Sequence, residues 1–264
     1  MIVADDASTD ATAAIARARG AAVVTVDKRG YAGGARNVGW SAAAGDLVVF
    51  LDADAVPSPD WGAALVRAAE EFPDAIVGCA RTFTADTAWG WVAHLQVETP
   101  FLPVGAPHDT PFVSSFCMTV PRTLPLRWDE SYGAEDAFFS ADARAAGVRI
   151  VFDPRIVAAH EHERSSFGDL RGQQRRLAHG LARAGRAGVL PRSRRIFARI
   201  PLHYFLLLRL PGIYRRLEAD PELRRCFLSL LPRLAAAEWT LGISALRYAL
   251  APPSPRGGPQ PSFR

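Results

Sequence analysis

The 264-residue sequence predicts an α/β fold with a mainly parallel sheet and a helical appendage at its C-terminal end. Three observations carry this. Short apolar runs alternate with helical stretches over the first 160 residues, the order of consecutive βαβ units. Leu47–Leu51 is apolar without interruption, as a strand buried on both faces of a parallel sheet would be. Beyond Phe167 the pattern changes to long helices.

The elements follow in order. Ile2, Val3 and Ala4 form a short strand that ends in Asp5 and Asp6. Ser8, Thr9 and Asp10 supply N-cap chemistry for a helix over 11–19, which Gly20 closes. Residues 21–26 read as a buried strand, 30–34 as a glycine-rich loop, and 35–44 as a helix stopped by Gly45. The strand Leu47–Leu51 delivers Asp52, Ala53 and Asp54 at its C-terminal end. A helix over 59–71 and a strand over 75–79 come next. Residues 81–111 read as irregular and aromatic-rich, and 112–120 as a strand. A helix over 135–146 stops at Gly147, and short strands over 148–152 and 156–159 lead to His160, Glu161 and His162. The expected organisation is a catalytic domain over 1–165, a helical region over 166–251, and a disordered tail rich in Pro, Gly and Ser over 252–264.

Composition narrows the function. Hydrophobic residues make up 49% of the chain, enough for a sizeable core. The formal charge is +4 and the arginines crowd into 164–225. That half suits an anionic partner, such as a phospholipid surface or a phosphate-bearing substrate. No zinc-finger spacing or RNA-binding signature supports nucleic acid. Three widely spaced cysteines do not make a disulfide framework, so a reducing compartment is the expectation.

Five constellations bear chemistry. Two carboxylates one residue apart, Asp52 and Asp54, at the carboxyl end of a strand can hold a hard divalent cation and a ribose hydroxyl together. Asp6 can accept from a base N–H or a hydroxyl. The run from Gly30 to Asn37 allows close backbone approach to a ligand through Gly34, with Arg36 available for phosphate. Glu135 and Asp136 open a helix, where the dipole favours the ionised carboxylate that a general base needs. His160 and His162 share a strand face, so an imidazole could complete a metal site begun by Asp54. Taken singly, each has an ordinary structural explanation in turn or helix-end chemistry.

Together and in this order, these segments resemble the inverting family 2 glycosyltransferases of the GT-A fold. The text that carries the resemblance is 3–10, 34–39, 44–54, 133–136 and His160, and it spans about 1–165. The resemblance implies a Rossmann-like nucleotide-diphospho-sugar transferase fold. It also implies an enzyme that moves a sugar from a nucleotide-sugar donor to an acceptor hydroxyl with inversion, using Mn²⁺ or Mg²⁺. By the same resemblance Asp6 contacts the base, Asp52 the ribose, and Arg36, with Gly34 and Asn37, lies at the nucleotide. Asp54 ligates the metal and His160 is a further metal or diphosphate contact, with His162 a weaker candidate. Asp136 is the general base, with Glu135 beside it. Trp89 and Trp91 are candidates to stack on acceptor sugars.

The family has a strand and helix before its Asp-Asp strand. The resemblance therefore implies a missing βα unit of about 30 residues ahead of Met1, and an exposed neighbouring strand edge, weak donor binding and low stability without it. The apolar helical stretches at 200–210 and 227–250, flanked by arginines, are expected to lie at an anionic membrane surface. The acceptor is then a polysaccharide or a lipid-linked molecule, and the enzyme is cytoplasmic, peripheral at the inner face of the cell membrane. The alternatives are a catalytically impaired, membrane-associated scaffold, a nucleotidyltransferase, or a haloacid-dehalogenase-type phosphatase built on Asp52 and Asp54. That phosphatase chemistry wants a downstream lysine, and no lysine follows Lys28.

Overall fold

The computed structural model describes residues 1–26, 31–161, 164–190 and 201–250. Gly30, Lys28, His162, Arg194, Arg195, Arg199 and the tail over 252–264 lie outside the described residues.

Strand β1 (Ile2–Asp5) pairs in parallel with β2 (Ala22–Thr25), and helix α1 (Thr12–Ala18) connects them. The Asp10 carboxylate accepts from the Thr12 backbone N–H, so the turn chemistry enters where expected, though α1 starts one residue later than predicted. Helix α2 (Tyr31–Ala42) corrects the sequence reading: Gly33 and Gly34 lie inside it, not in a loop before it. The reason is packing. A Cβ on Gly33 would stand 2.0 Å from the Asp129 carbonyl oxygen, so the glycine admits the neighbouring backbone.

A six-stranded sheet carries the rest of the α/β part. It uses β3 (Leu47–Leu51), β4 (Ala55–Pro57), β5 (Ile76–Phe83), β6 (His108–Asp109), β7 (Cys117–Pro121) and β8 (Ile150–His160). The order is β3-β7-β5-β8-β4, with β6 also on β8. Parallel pairing is confined to β5–β8 here and to β1–β2 in the small sheet, so the sheet is mixed where the sequence predicted it mainly parallel. The cause is β7, which enters antiparallel between β3 and β5, together with β4 and β6, which both run antiparallel to β8. β3 consequently buries only alternate residues, Val48 and Phe50, and leaves Leu47, Val49 and Leu51 exposed. The two short strands expected over 148–159 are one strand, β8, whose register against β5 shifts between Asp153 and Val157.

Helix α3 (Trp61–Glu71) covers one face, burying Ala64, Leu65 and Ala68 against β5 and β8. The segment over 81–111 is more regular than predicted: it holds helix α4 (Ala88–Val97), N-capped by Thr87. Helix α5 (Glu135–Ala145) leads into β8. Beyond it come α6 (Phe167–Ala187), α7 (Leu202–Phe205), α8 (Leu210–Arg216), α9 (Pro221–Ser229) and α10 (Leu231–Leu250). Ser166 and Asp169 form a reciprocal capping box that starts α6, and Gly188, at φ 70°, ends it.

These helices share one hydrophobic cluster with the α/β part. Val92, Ala93 and Leu95 of α4 pack with Leu170, Leu217, Leu234 and Ala237. A buried polar joint adds to this. Gln174 donates to Gln96 at 2.6 Å, Gln96 donates to Glu238 at 2.7 Å, and Arg209 pairs with Glu238 at 3.0 Å. Trp89 and Trp91 are half-buried and pack on this cluster, with Trp89 5.0 Å from the Phe167 ring and Trp91 5.9 Å from Phe83.

Candidate active site

The carboxyl end of β3 delivers the first pair of candidates. The Asp52 backbone N–H donates to the Phe116 carbonyl at 2.9 Å, which fixes the turn leaving the strand. The Asp52 side chain then accepts from Arg36 at 2.7 Å. The same guanidinium reaches Glu135 at 3.2 Å. Arg36 thus ties the strand-end motif to the start of α5, and its plane lies 4.9 Å over Trp128. Burial works against the Arg36 charge, but the two carboxylates outweigh it and hold the group protonated more firmly than usual.

Asn37, one residue on, faces away from this centre. Its amide donates to the Trp128 carbonyl and to Glu130, and its oxygen accepts from Trp128 N–H at 2.9 Å, so it braces the segment that approaches Gly33. Gly34 has open space where a Cβ would stand.

Gly133 and Ala134, at φ 81° and 63°, turn the chain so that Glu135 and Asp136 open α5. Asp136 accepts from the Ala137 N–H at 3.0 Å. Burial first, and the neighbouring Glu135 charge second, push the Asp136 carboxyl up to about 7, against the pull of Arg36 and Arg81. A carboxylate poised there can take a proton from a hydroxyl near neutral pH.

Asp54 and His160 meet across β4 and β8, with Asp54 Oδ2 3.3 Å from His160 Nε2. Two ligands of an octahedral Mg²⁺-sized ion at about 2.1 Å and a right angle lie about 3 Å apart, so this pair fits adjacent positions on such an ion. Asp54 is half exposed, which leaves room for further ligands from solvent or a diphosphate. Its hydrogen bond with His160 lowers its pKa. Burial opposes charge on His160, but the hydrogen bonds with Asp54 and Glu98 outweigh it and push the ring up to about 9.

Asp6 at the end of β1, Tyr31 and Gly33 of α2, and Glu135 and Asp136 of α5 line one cavity of ≈ 1100 Å³. Its walls also include Phe101, Phe112, Leu177 and Leu181. The structure therefore gathers Asp6, Arg36, Asp52, Glu135 and Asp136 around one cleft, with the Asp54–His160 pair at the neighbouring strand ends.

The motifs gave no hint of Glu98 and Arg81. Glu98 caps the end of α4 and accepts from His160 Nδ1 at 2.9 Å and from Arg81 at 2.5 Å. The one available signal is the i, i+4 spacing of His94 and Glu98, which places both on one helix face.

Comparisons with known proteins bear on the family and the fold. The sequence model of glycosyl transferase family 2 matches residues 1–124. A search of curated protein sequences finds no match. Among solved structures, mannosyltransferase PcManGT from Pyrobaculum calidifontis, in complex with GDP-Man and Mn²⁺, aligns at 20% identity and a TM-score of 0.51, covering 95% of this chain and 71% of that one. Glucosyl-3-phosphoglycerate synthase from Mycobacterium tuberculosis aligns at 23% identity and 0.47, covering 72% and 70%. S. aureus TarS in complex with UDP aligns at 18% and 0.47, covering 93% and 81%.

Proposed function

We propose that this chain, whose residues 1–124 match glycosyl transferase family 2 and whose fold is like that of a solved mannosyltransferase, is a nucleotide-sugar glycosyltransferase that transfers the sugar with inversion, with the help of a divalent cation. The observation that carries this is the convergence at Arg36, which bonds Asp52 on one side and Glu135 on the other. A strand-end carboxylate motif and a helix-opening acid pair, far apart in sequence, face one cleft.

In this reading Asp6 accepts from the base and Asp52 from the ribose. Asp54 and His160 are the residues that would hold Mn²⁺ or Mg²⁺. The cation would offset charge on the diphosphate leaving group. Asp136 takes the proton from the acceptor hydroxyl as that oxygen attacks the anomeric carbon, and the bond to the diphosphate breaks on the opposite face. Glu135 keeps Arg36 in place and, by its charge, keeps the Asp136 carboxyl high. Gly34 is assigned to the nucleotide side of α2, and Asn37 supports that side indirectly by bracing Trp128 and Glu130. The acceptor is a polysaccharide or lipid-linked hydroxyl that enters along the apolar wall of the cavity, and the C-terminal helices rest on an anionic membrane surface.

Calorimetric titration of UDP and of GDP, each with and without Mn²⁺, tests the proposal. The expected outcome is metal-dependent binding of one nucleotide that disappears in Asp54→Ala. Binding that ignores both the metal and Asp54 would overturn the metal part.

A further inference from the structure

Behind Asp54 and His160 a chain of polar side chains runs from the half-exposed surface into the buried interior. Asp54 is 48% exposed, His160 11%, Glu98 2% and Arg81 5%. Glu98 spends one carboxylate oxygen on Arg81 and the other on His160 Nδ1. Arg81 is itself clamped. Its guanidinium lies 4.4 Å from the rings of both Phe101 and Phe116, and it also donates to Ser114.

His94, Glu98 and His160 offer atoms within 4.8 Å of one another, a spacing that could suit a metal ion. Charge argues against one there. The positive partner of Glu98 is already Arg81, and a divalent ion among the three would face that guanidinium in a buried setting, where like charges repel strongly. A cation is better placed on the other side of His160, where Nε2 meets the half-exposed Asp54.

Buried ion pairs add little to stability, because the cost of desolvation offsets their attraction. Their fixed geometry can serve a site instead. A carboxylate held on Nδ1 of a metal-binding histidine sets the ring's orientation and tautomer and leaves Nε2 to the ion. We propose that Glu98, held by Arg81, is the positioning residue that fixes the His160 ring with Nδ1 protonated and Nε2 turned to the cation beside Asp54. This rests on the proposed metal role of Asp54 and His160. It adds a pair of residues from β5 and the end of α4 to the site: Glu98 acts through His160, and Arg81, which also lines the cavity, acts through Glu98.

The test uses Mn²⁺ alone, with binding followed by the electron paramagnetic resonance of the free ion. Glu98→Gln is the informative variant, because it keeps the shape and removes the charge. The expected result is a Mn²⁺ affinity weakened by about ten- to a hundred-fold, with Glu98→Asp recovering part of it. Wild-type affinity in a folded Glu98→Gln protein would overturn the proposal. His160→Ala separates the two levels: if it also keeps wild-type affinity, the metal assignment beneath the proposal fails as well. If it loses affinity while Glu98→Gln does not, only the positioning role fails. A second measurement needs no variant. In Mg²⁺-loaded protein, ¹⁵N-resolved imidazole signals should place the His160 proton on Nδ1, and a proton on Nε2 would overturn the proposal.

Discussion

At the residue scale, the raised Asp136 carboxyl makes the sharpest prediction. The proposed base works only when ionised, so kcat/KM should rise with pH through about 7 and level off above it. Asp136→Asn should lose about 10²- to 10⁴-fold in kcat/KM, the usual worth of general-base catalysis, and show no such limb. A flat profile in the wild type would remove Asp136 from that role. The same shift affects folding. The unfolded carboxyl ionises near 3.8 and the folded one near 7, so this group's contribution to stability falls as pH climbs between those values and is constant above. Two adjacent glycines should respond in opposite directions. Gly33→Ala should cost about 1–3 kcal/mol, because its Cβ would meet the Asp129 carbonyl. Gly34→Ala should gain about 0.5–1 kcal/mol, because nothing stands within 4 Å and helix propensity improves. Urea melts of the two variants check this. The acids and the histidine of the candidate site stand at strand ends and a helix start, which is why the sequence could single them out; their roles belong to the proposal. Glu98 and Arg81 were not singled out, since a buried partner leaves no local pattern in the chain.

At the scale of elements, legibility followed periodicity. The strand Leu47–Leu51 and helix α3 stand where the sequence places them, because an apolar run and an amphipathic stripe are local signals. Helix α4 was missed because AWGWVAHLQV is apolar on nearly every side, which hides the 3.6-residue period; six of its ten residues are buried. Helix α2 was shortened because its two glycines look like a breaker until Asp129 is seen against them. The strand pairing of β3 was misjudged for a related reason: an unbroken apolar run suggests burial on both faces, yet one face is open. Among the described residues β3 pairs only with β7 and β1 only with β2, and Leu47, Val49 and Leu51 are 41%, 38% and 39% exposed. An unpaired edge beside an apolar face templates association. Val49→Lys should therefore reduce concentration-dependent aggregation, followed by light scattering, without lowering the melting temperature. Equal scattering by the two proteins would show that β3 is not the sticky surface.

At the scale of the whole molecule, the C-terminal helices do two things. Inwards they complete the core through the joint of Gln96, Glu238 and Arg209. Glu238→Ala should cost about 3 kcal/mol in a urea melt, because it strips a fully buried carboxylate from Arg209 and Gln96. Outwards α10 presents Trp239, Ile243, Leu246 and Leu250, spaced four, three and four residues apart and all exposed. Leu202, Leu206 and Leu208 are exposed as well, and Trp239 donates to the Phe205 carbonyl at 3.1 Å, so the two segments adjoin. No single helix among the described residues is long and apolar enough to cross a membrane, although α9 and α10, bent by 72° to one another, have the length and composition together. An apolar stripe with arginines nearby, Arg247 among them, instead suits a helix lying in the plane of an anionic surface. Vesicles rich in phosphatidylserine should shift Trp239 fluorescence to the blue and sediment the protein, and high salt should weaken the binding. Ile243→Glu with Leu246→Glu should abolish it while leaving nucleotide binding intact, because the stripe faces away from the core residues Leu234 and Leu241. Binding to neutral vesicles as strong as to anionic ones would leave the apolar stripe in place and remove the arginines from the account.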